Sequence, residues 1–176
     1  MQAGHAFSYL TKVAPIFKTM KIALLQAGKT TEKHIAEGVD IYSKRIRKYS
    51  DFEIITVPDL KNTRNMPVEE QKAKEGGKIL KAIGKNDFVV LLDESGKELR
   101  TGEFAEWIEK RAMIPGRRLV FVIGGPWGFS GEVYNSAGFR LSLSKMTFPH
   151  QLVRLLFIEQ LYRAFTIIKG EPYHHD

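Results

Sequence analysis

From Lys21 onward, apolar and polar positions fall into short blocks that alternate between two periodicities. Met20-Lys-Ile-Ala-Leu-Leu25 leads into an apolar strand over 21–26, closed by Ala27-Gly28. Between Thr31 and Tyr49 the apolar residues recur at Ile35, Val39, Tyr42, Ile46 and Tyr49, gaps of four and three that trace one face of a helix. Phe52 to Val57 predicts a second strand, ended by Pro58, and residues 59–67 read as a polar loop. Glu69 to Ile83 reads as a helix in spite of Gly76-Gly77, which weaken it. Phe88 to Leu92 and Leu119 to Ile123 are continuous apolar runs, as buried strands are, with a helix over 101–113 between them. A short helix over 131–137 and a brief strand over 141–143 follow. The chain then predicts a strongly apolar helix over 149–169, which Gly170 and Pro172 end.

Strands alternating with helices, with apolar runs at the centre, predict an α/β fold with a largely parallel sheet. The chain of 176 residues suits one domain, without repeats or low-complexity segments. Residues 1–19 stand apart. They carry two lysines but no long apolar stretch of the kind a signal peptide needs. They are expected to be a poorly ordered extension or alternative start, with the domain over 20–176.

Composition narrows the partners. Net charge of +7 favours a polyanion, nucleic acid before an anionic membrane. No apolar run approaches the roughly eighteen residues of a membrane span. The absence of cysteine excludes disulfides and thiolate metal sites and fits the cytoplasm. His174 and His175 are adjacent, with only Asp176 near them in sequence, so no metal site is expected.

Two phosphate-binding motifs fail. Ala27-Gly-Lys-Thr30 lacks the glycine five positions before Gly28 that a P-loop needs, since position 23 is Ala. Gly-x-Gly-x-x-Gly follows no strand. Three strand ends remain: Leu91-Leu-Asp93, Ile123-Gly-Gly-Pro126 and Leu143-Ser-Lys-Met-Thr-Phe148. Ligands of parallel sheets sit outside the carboxyl ends of strands, and these segments offer backbone groups with little bulk. Such a set suits an adenine edge and a ribose better than a triphosphate. A tight turn alone is the other reading of Gly124, Gly125 and Gly128. On the last helix Glu159 and Arg163 are four apart, which reads either as a surface ion pair or as a guanidinium held near a developing anion. Tyr42 to Tyr49 places four cations beside two aromatics, a solvated face or an RNA contact.

Ile-Gly-Gly-Pro-Trp-Gly-Phe129, Leu-Ser-Leu-Ser-Lys-Met-Thr-Phe-Pro-His150, Glu-Gln-Leu-Tyr-Arg-Ala-Phe165 and Pro-Tyr-His174, in that order, resemble the ribosomal RNA large subunit methyltransferase H family. These are SPOUT methyltransferases that modify N3 of a pseudouridine in a 23S rRNA stem-loop. The resemblance runs from Met20 to the C-terminus. It implies a SPOUT-type α/β knot in which the C-terminal part is threaded as a trefoil. It also implies S-adenosylmethionine held by Leu92, Gly124, Leu143, Ser144, Lys145, Met146, Thr147 and Phe148. A homodimer would place one subunit's tail near the other's cofactor. Arg163 and His174 then match catalytic positions, the first stabilising charge on the uracil oxygens and the second taking the N3 proton. Tyr173 would stack on the base and His175 would contact substrate, although some relatives carry Arg or Lys there. The implied partner is the assembled 70S ribosome with its 23S rRNA, in the cytoplasm. An oxidoreductase or other nucleotide-binding enzyme, and a non-catalytic basic RNA-binding protein on the ribosome, are the competing readings.

Overall fold

The structure is a computed structural model that describes residues 20–114 and 116–174. The expected N-terminal extension over 1–19 and the substrate contact at His175 lie outside the described residues. Five strands, β1 (Lys21–Ala27), β2 (Asp51–Val57), β3 (Phe88–Glu98), β4 (Leu119–Ile123) and β5 (Phe139–Ser142), alternate with five helices. The helices are α1 (Lys33–Ile46), α2 (Val68–Ala82), α3 (Thr101–Ala112), α4 (Gly131–Ser136) and α5 (His150–Lys169). The strands form one sheet in the order β2-β1-β4-β3-β5, and every pairing is parallel.

The continuous apolar strands are explained by helices on both faces. Along β4, Leu119, Phe121 and Ile123 join a core with α1, α3 and α5, while Val120 and Val122 join one with α2 and α4. Gly38 of α1 admits α5 closely, since a Cβ there would stand 2.8 Å from Leu155. Gly76, which weakened the expectation for α2, has a similar purpose: a Cβ would stand 2.3 Å from the Ser130 hydroxyl that caps α4. Close packing there outweighs the propensity cost of glycine in a helix.

Two strands differ from expectation: β5 begins at Phe139 and ends at Ser142 rather than spanning 141–143, and β3 is longer. β3 does not end at Leu92 but continues to Glu98. Leu92 and Lys97 both pair with Leu141 of β5, so residues 93–96 bulge out of the ladder and return. Gly96 makes the return possible, because a Cβ there would lie 2.7 Å from the Leu141 backbone. Such bulges re-aim side chains at the rim of a sheet. Among the described residues no helix is long and apolar enough to cross a membrane.

Candidate active site

The carboxyl ends of β3, β4 and β5 open into a cleft of about 640 Å³, and the first turn of α5 closes one side of it. Leu92, Gly124, Leu143, Ser144, Met146, Thr147 and Phe148 line it, seven positions drawn from three separated segments. Lys145 points elsewhere, its side chain 86% exposed and its ammonium 3.9 Å from Glu98. The Ser144 hydroxyl accepts the Met146 N–H at 2.9 Å, and the Ser144 carbonyl accepts the Ser142 hydroxyl at 3.0 Å, so this wall is a self-braced turn.

The glycines opposite have reasons internal to the loop. A Cβ on Gly124 would meet the Phe129 ring at 2.9 Å, and one on Gly125 would meet the Glu75 carboxylate at 2.6 Å. Gly128 turns the chain at φ +76°. The Glu75 carboxylate, reaching over from α2, accepts the Gly125 N–H at 2.8 Å and fixes the orientation of that peptide. Nothing in the sequence pattern marked Glu75, which lies fifty positions away from its partner.

The lining of the cleft includes Asp93, the first residue of the β3 bulge. Its Oδ1 accepts the Ser95 N–H at 2.8 Å and the Ser95 hydroxyl, and its Oδ2 accepts the Tyr134 hydroxyl at 2.5 Å. Burial alone would raise the Asp93 carboxyl pKa, but these hydrogen bonds and the attraction of Arg140 hold it below the ordinary carboxylate value. Tyr134 is pushed up to about 12 by burial and by its bond to Asp93, so it remains a donor. Among the described residues lining the cleft, Asp93 and Glu94 carry charge, His150 is titratable, and none is Lys or Arg. A chain of net charge +7 has thus lined this cleft with negative charge.

Arg163 and Tyr173 belong to a second cluster. Arg163 donates through Nη2 and Nε to Glu159 Oε1 at 2.6 and 3.1 Å, and its Cζ stands 4.9 Å from the Tyr173 ring centroid. The Tyr173 hydroxyl donates to the same Glu159 oxygen at 3.2 Å and lies 3.1 Å from the Tyr42 hydroxyl. Tyr162 packs edge-on against Tyr173 at 4.8 Å, and Arg45 lies over both Tyr42 and Tyr162. The Glu159 hydrogen bond raises the Arg163 pKa, while burial and then the Tyr42 hydrogen bond raise that of Tyr173. The ion pair expected from i,i+4 spacing is therefore present, inside an aromatic setting. Of the four cations of 42–49, Arg45 is used in this cluster and Arg47 on the Phe52 carbonyl at 3.1 Å.

Cleft and cluster lie toward opposite ends of α5. His150 lines the cleft, and Arg163 comes thirteen residues later, about 20 Å along the helix axis at 1.5 Å per residue. One chain does not bring its own Arg163 to its own cleft. Between the two lies Arg154, the largest fully buried side chain. It donates to the Ala27 carbonyl at 2.6 Å and the Thr30 hydroxyl at 2.9 Å. The segment that superficially suggested a P-loop is thereby tied down by α5, its glycine held at φ +73° and hydrogen-bonded to the Val57 carbonyl. Burial lowers the Arg154 pKa, partly countered by Asp59. A lone arginine in an apolar stripe was the available signal for this residue.

The family model described as "Predicted SPOUT methyltransferase" matches residues 20–174. A protein of Phocaeicola vulgatus named ribosomal RNA large subunit methyltransferase H is 52% identical over 157 residues, covering 89% of this chain and 100% of that protein. Proteins of the same name from Bacteroides fragilis and Christiangramia forsetii are 50% and 54% identical, with 89% of this chain covered in each case and 100% and 99% of the relative. Among solved structures, the A. aeolicus TrmH/SpoU tRNA modifying enzyme superposes with a TM-score of 0.41 at 11% identity, over 98% of this chain and 91% of that one. That likeness is too loose to carry an argument.

Proposed function

The chain belongs to the SPOUT methyltransferase family and is a methyltransferase, and on that premise we propose that it methylates N3 of a pseudouridine in 23S ribosomal RNA. The methyl donor is S-adenosylmethionine, as in the family, and the substrate is the assembled ribosome in the cytoplasm. The observation that carries the reading is the cleft at the carboxyl ends of β3, β4 and β5. Its lining mixes apolar side chains with small hydroxyl side chains such as Ser144 and Thr147, and the charge lining it is negative. That suits a cationic adenosyl ligand and disfavours the pyrophosphate of a dinucleotide. Gly124, Leu92 and the turn over 143–148 would hold the adenosyl part, with Lys145 contributing through backbone alone. When bound, the cofactor supplies an electrophilic methyl group. On the same reading the segment from β5 through α5 is threaded as a trefoil knot.

The protein's own task is to make the imide nitrogen nucleophilic and to aim it. Pseudouridine N3 carries a proton, so the site must remove it and stabilise the charge that spreads to the flanking oxygens. His174 would take the proton, directly or through water. Arg163, held charged by Glu159, would face the oxygens. Tyr173 would present its ring to the base. Since this cluster stands about 20 Å along α5 from its own cleft, a second copy would supply it, and the site would form between two subunits. The half-buried leucines of α5, Leu152, Leu155 and Leu156, give such a dimer an apolar ridge. The RNA backbone would be held outside the cleft, where the excess of positive charge lies.

Transfer of labelled methyl from S-adenosylmethionine to ribosomes lacking this modification, with free 23S rRNA in parallel, tests the reading. Label at one pseudouridine of the ribosomes is expected. Cofactor binding without label in either sample would remove the assigned substrate.

A further inference from the structure

We propose that Asp93 makes the cleft select for ligand charge, so that it binds the sulfonium cofactor more tightly than the neutral thioether left after transfer. This rests on the reading above that the cleft is the cofactor site. Methyl transfer breaks the bond between methyl carbon and sulfur, and the electron pair stays on sulfur. The N3 lone pair forms the new bond, and the N3 proton leaves to a base of the protein or to water. The ligand in the cleft therefore loses one positive charge during each turnover, while its shape changes by only a methyl group. A cleft that reads shape alone would hold product as firmly as substrate. One that reads charge would release it.

The cleft is built to read charge. The bulge over 93–96 begins at Asp93, which lines the cleft, and Gly96 is pressed against the Leu141 backbone where the strand returns. Ser95 and Tyr134 hold both carboxylate oxygens in place. Arg140 attracts Asp93 from outside the cleft lining, and the other charges at the cleft add to that of Asp93. Glu94 lines the same cleft, and the Glu75 carboxylate stands behind the Gly125 peptide. Arg140, 5.8 Å from the Tyr134 ring centroid, and Lys145, turned toward Glu98, are not among the lining residues. The hydrogen bonds that keep Asp93 ionised also fix its position, so the charge is preorganised rather than induced by the ligand.

Calorimetry with three ligands tests this without reference to activity. They are S-adenosylmethionine, S-adenosylhomocysteine and sinefungin, in which a protonated amine replaces the sulfonium. The wild-type protein is expected to bind the two cationic ligands about tenfold more tightly than the thioether. Asp93→Asn should bring the three affinities within about twofold of one another, mainly by weakening the cations. Tyr134→Phe, which removes a hydrogen bond and leaves the charge, should keep the preference. Equal loss for all three ligands in Asp93→Asn would make Asp93 structural and overturn the proposal. Should that variant not fold, equal wild-type affinity for thioether and sulfonium overturns it alone. No binding of any of the three to the wild type would instead strike the cofactor reading itself.

Discussion

The cleft and the Arg163 cluster share one helix and differ in nearly every physical respect. The cleft is open, lined by apolar and small polar side chains, and negatively charged. The cluster is filled, made of long side chains, and its ions are already paired through Glu159. The first recognises by shape and field. The second holds a cation and a phenol in fixed positions. On the proposed reading neither is a complete reaction centre, and the separation along α5 keeps them apart within one chain.

The largest expected effect tests that separation directly. Arg163→Ala should retain cofactor affinity and lose methyl transfer by about a hundredfold or more, the scale of one lost charge stabiliser. A cleft variant such as Gly124→Val should lose cofactor binding, because a side chain there collides with Phe129. Mixing and reannealing the two inactive proteins should restore activity, since one of the two mixed sites would combine an intact cleft with an intact cluster. Continued inactivity in a proven mixed dimer would mean that cleft and cluster work within one chain.

Next in size is the residue between them. Arg154→Ala leaves the Ala27 carbonyl and the Thr30 hydroxyl without their donor and opens a cavity. Relief of the arginine's desolvation works in the opposite direction. Removing one member of a buried polar set while keeping the rest costs more than it relieves, about 3 kcal/mol, or roughly 10 °C in Tm. Arg154→Met, which refills the volume, should lose less than half of that in a thermal melt.

A smaller effect falls on the cleft alone. Gly96→Ala must push back the Leu141 backbone at about 2 kcal/mol, moving Asp93 and weakening cofactor binding severalfold. The nuclear magnetic resonance signals of the Tyr42, Tyr162 and Tyr173 rings should stay unchanged. A shift there would show that the two regions are mechanically coupled through more than α5.

How much of this was legible beforehand follows from the range of the forces involved. The order of strands and helices was readable because burial imposes a period on the sequence, and β4 matches its apolar run from Leu119 to Ile123. The cleft-lining segments were readable because strand ends in a parallel sheet share an edge. The β3 bulge was not, since residues 93–96 look like a turn and only the pairing of Leu92 and Lys97 with one partner reveals the return. Glu75 and Arg154 were hidden for a related reason: each meets its partner across fifty or more positions. The glycines of 124–128 announced a special loop, yet the collisions that require Gly124 and Gly125 involve Phe129 and Glu75, which no local pattern pairs with them, while Gly128 is required by its positive φ. Family resemblance supplied Arg163, His174 and Tyr173, and the structure adds how far Arg163 stands from the cleft.

α5 begins in one site and ends in another, and this makes its length count for more than its composition. Replacing a leucine on its outer face changes one contact. Inserting a single residue between His150 and Arg163 would turn everything beyond it by about 100° and advance it by about 1.5 Å. With the insertion before Glu159, Glu159, Tyr162 and Arg163 would leave Tyr42 and Arg45 of α1, carrying Tyr173 with them, and no single substitution elsewhere would return them. Over evolutionary time such a segment can drift in letters while its count of residues stays fixed.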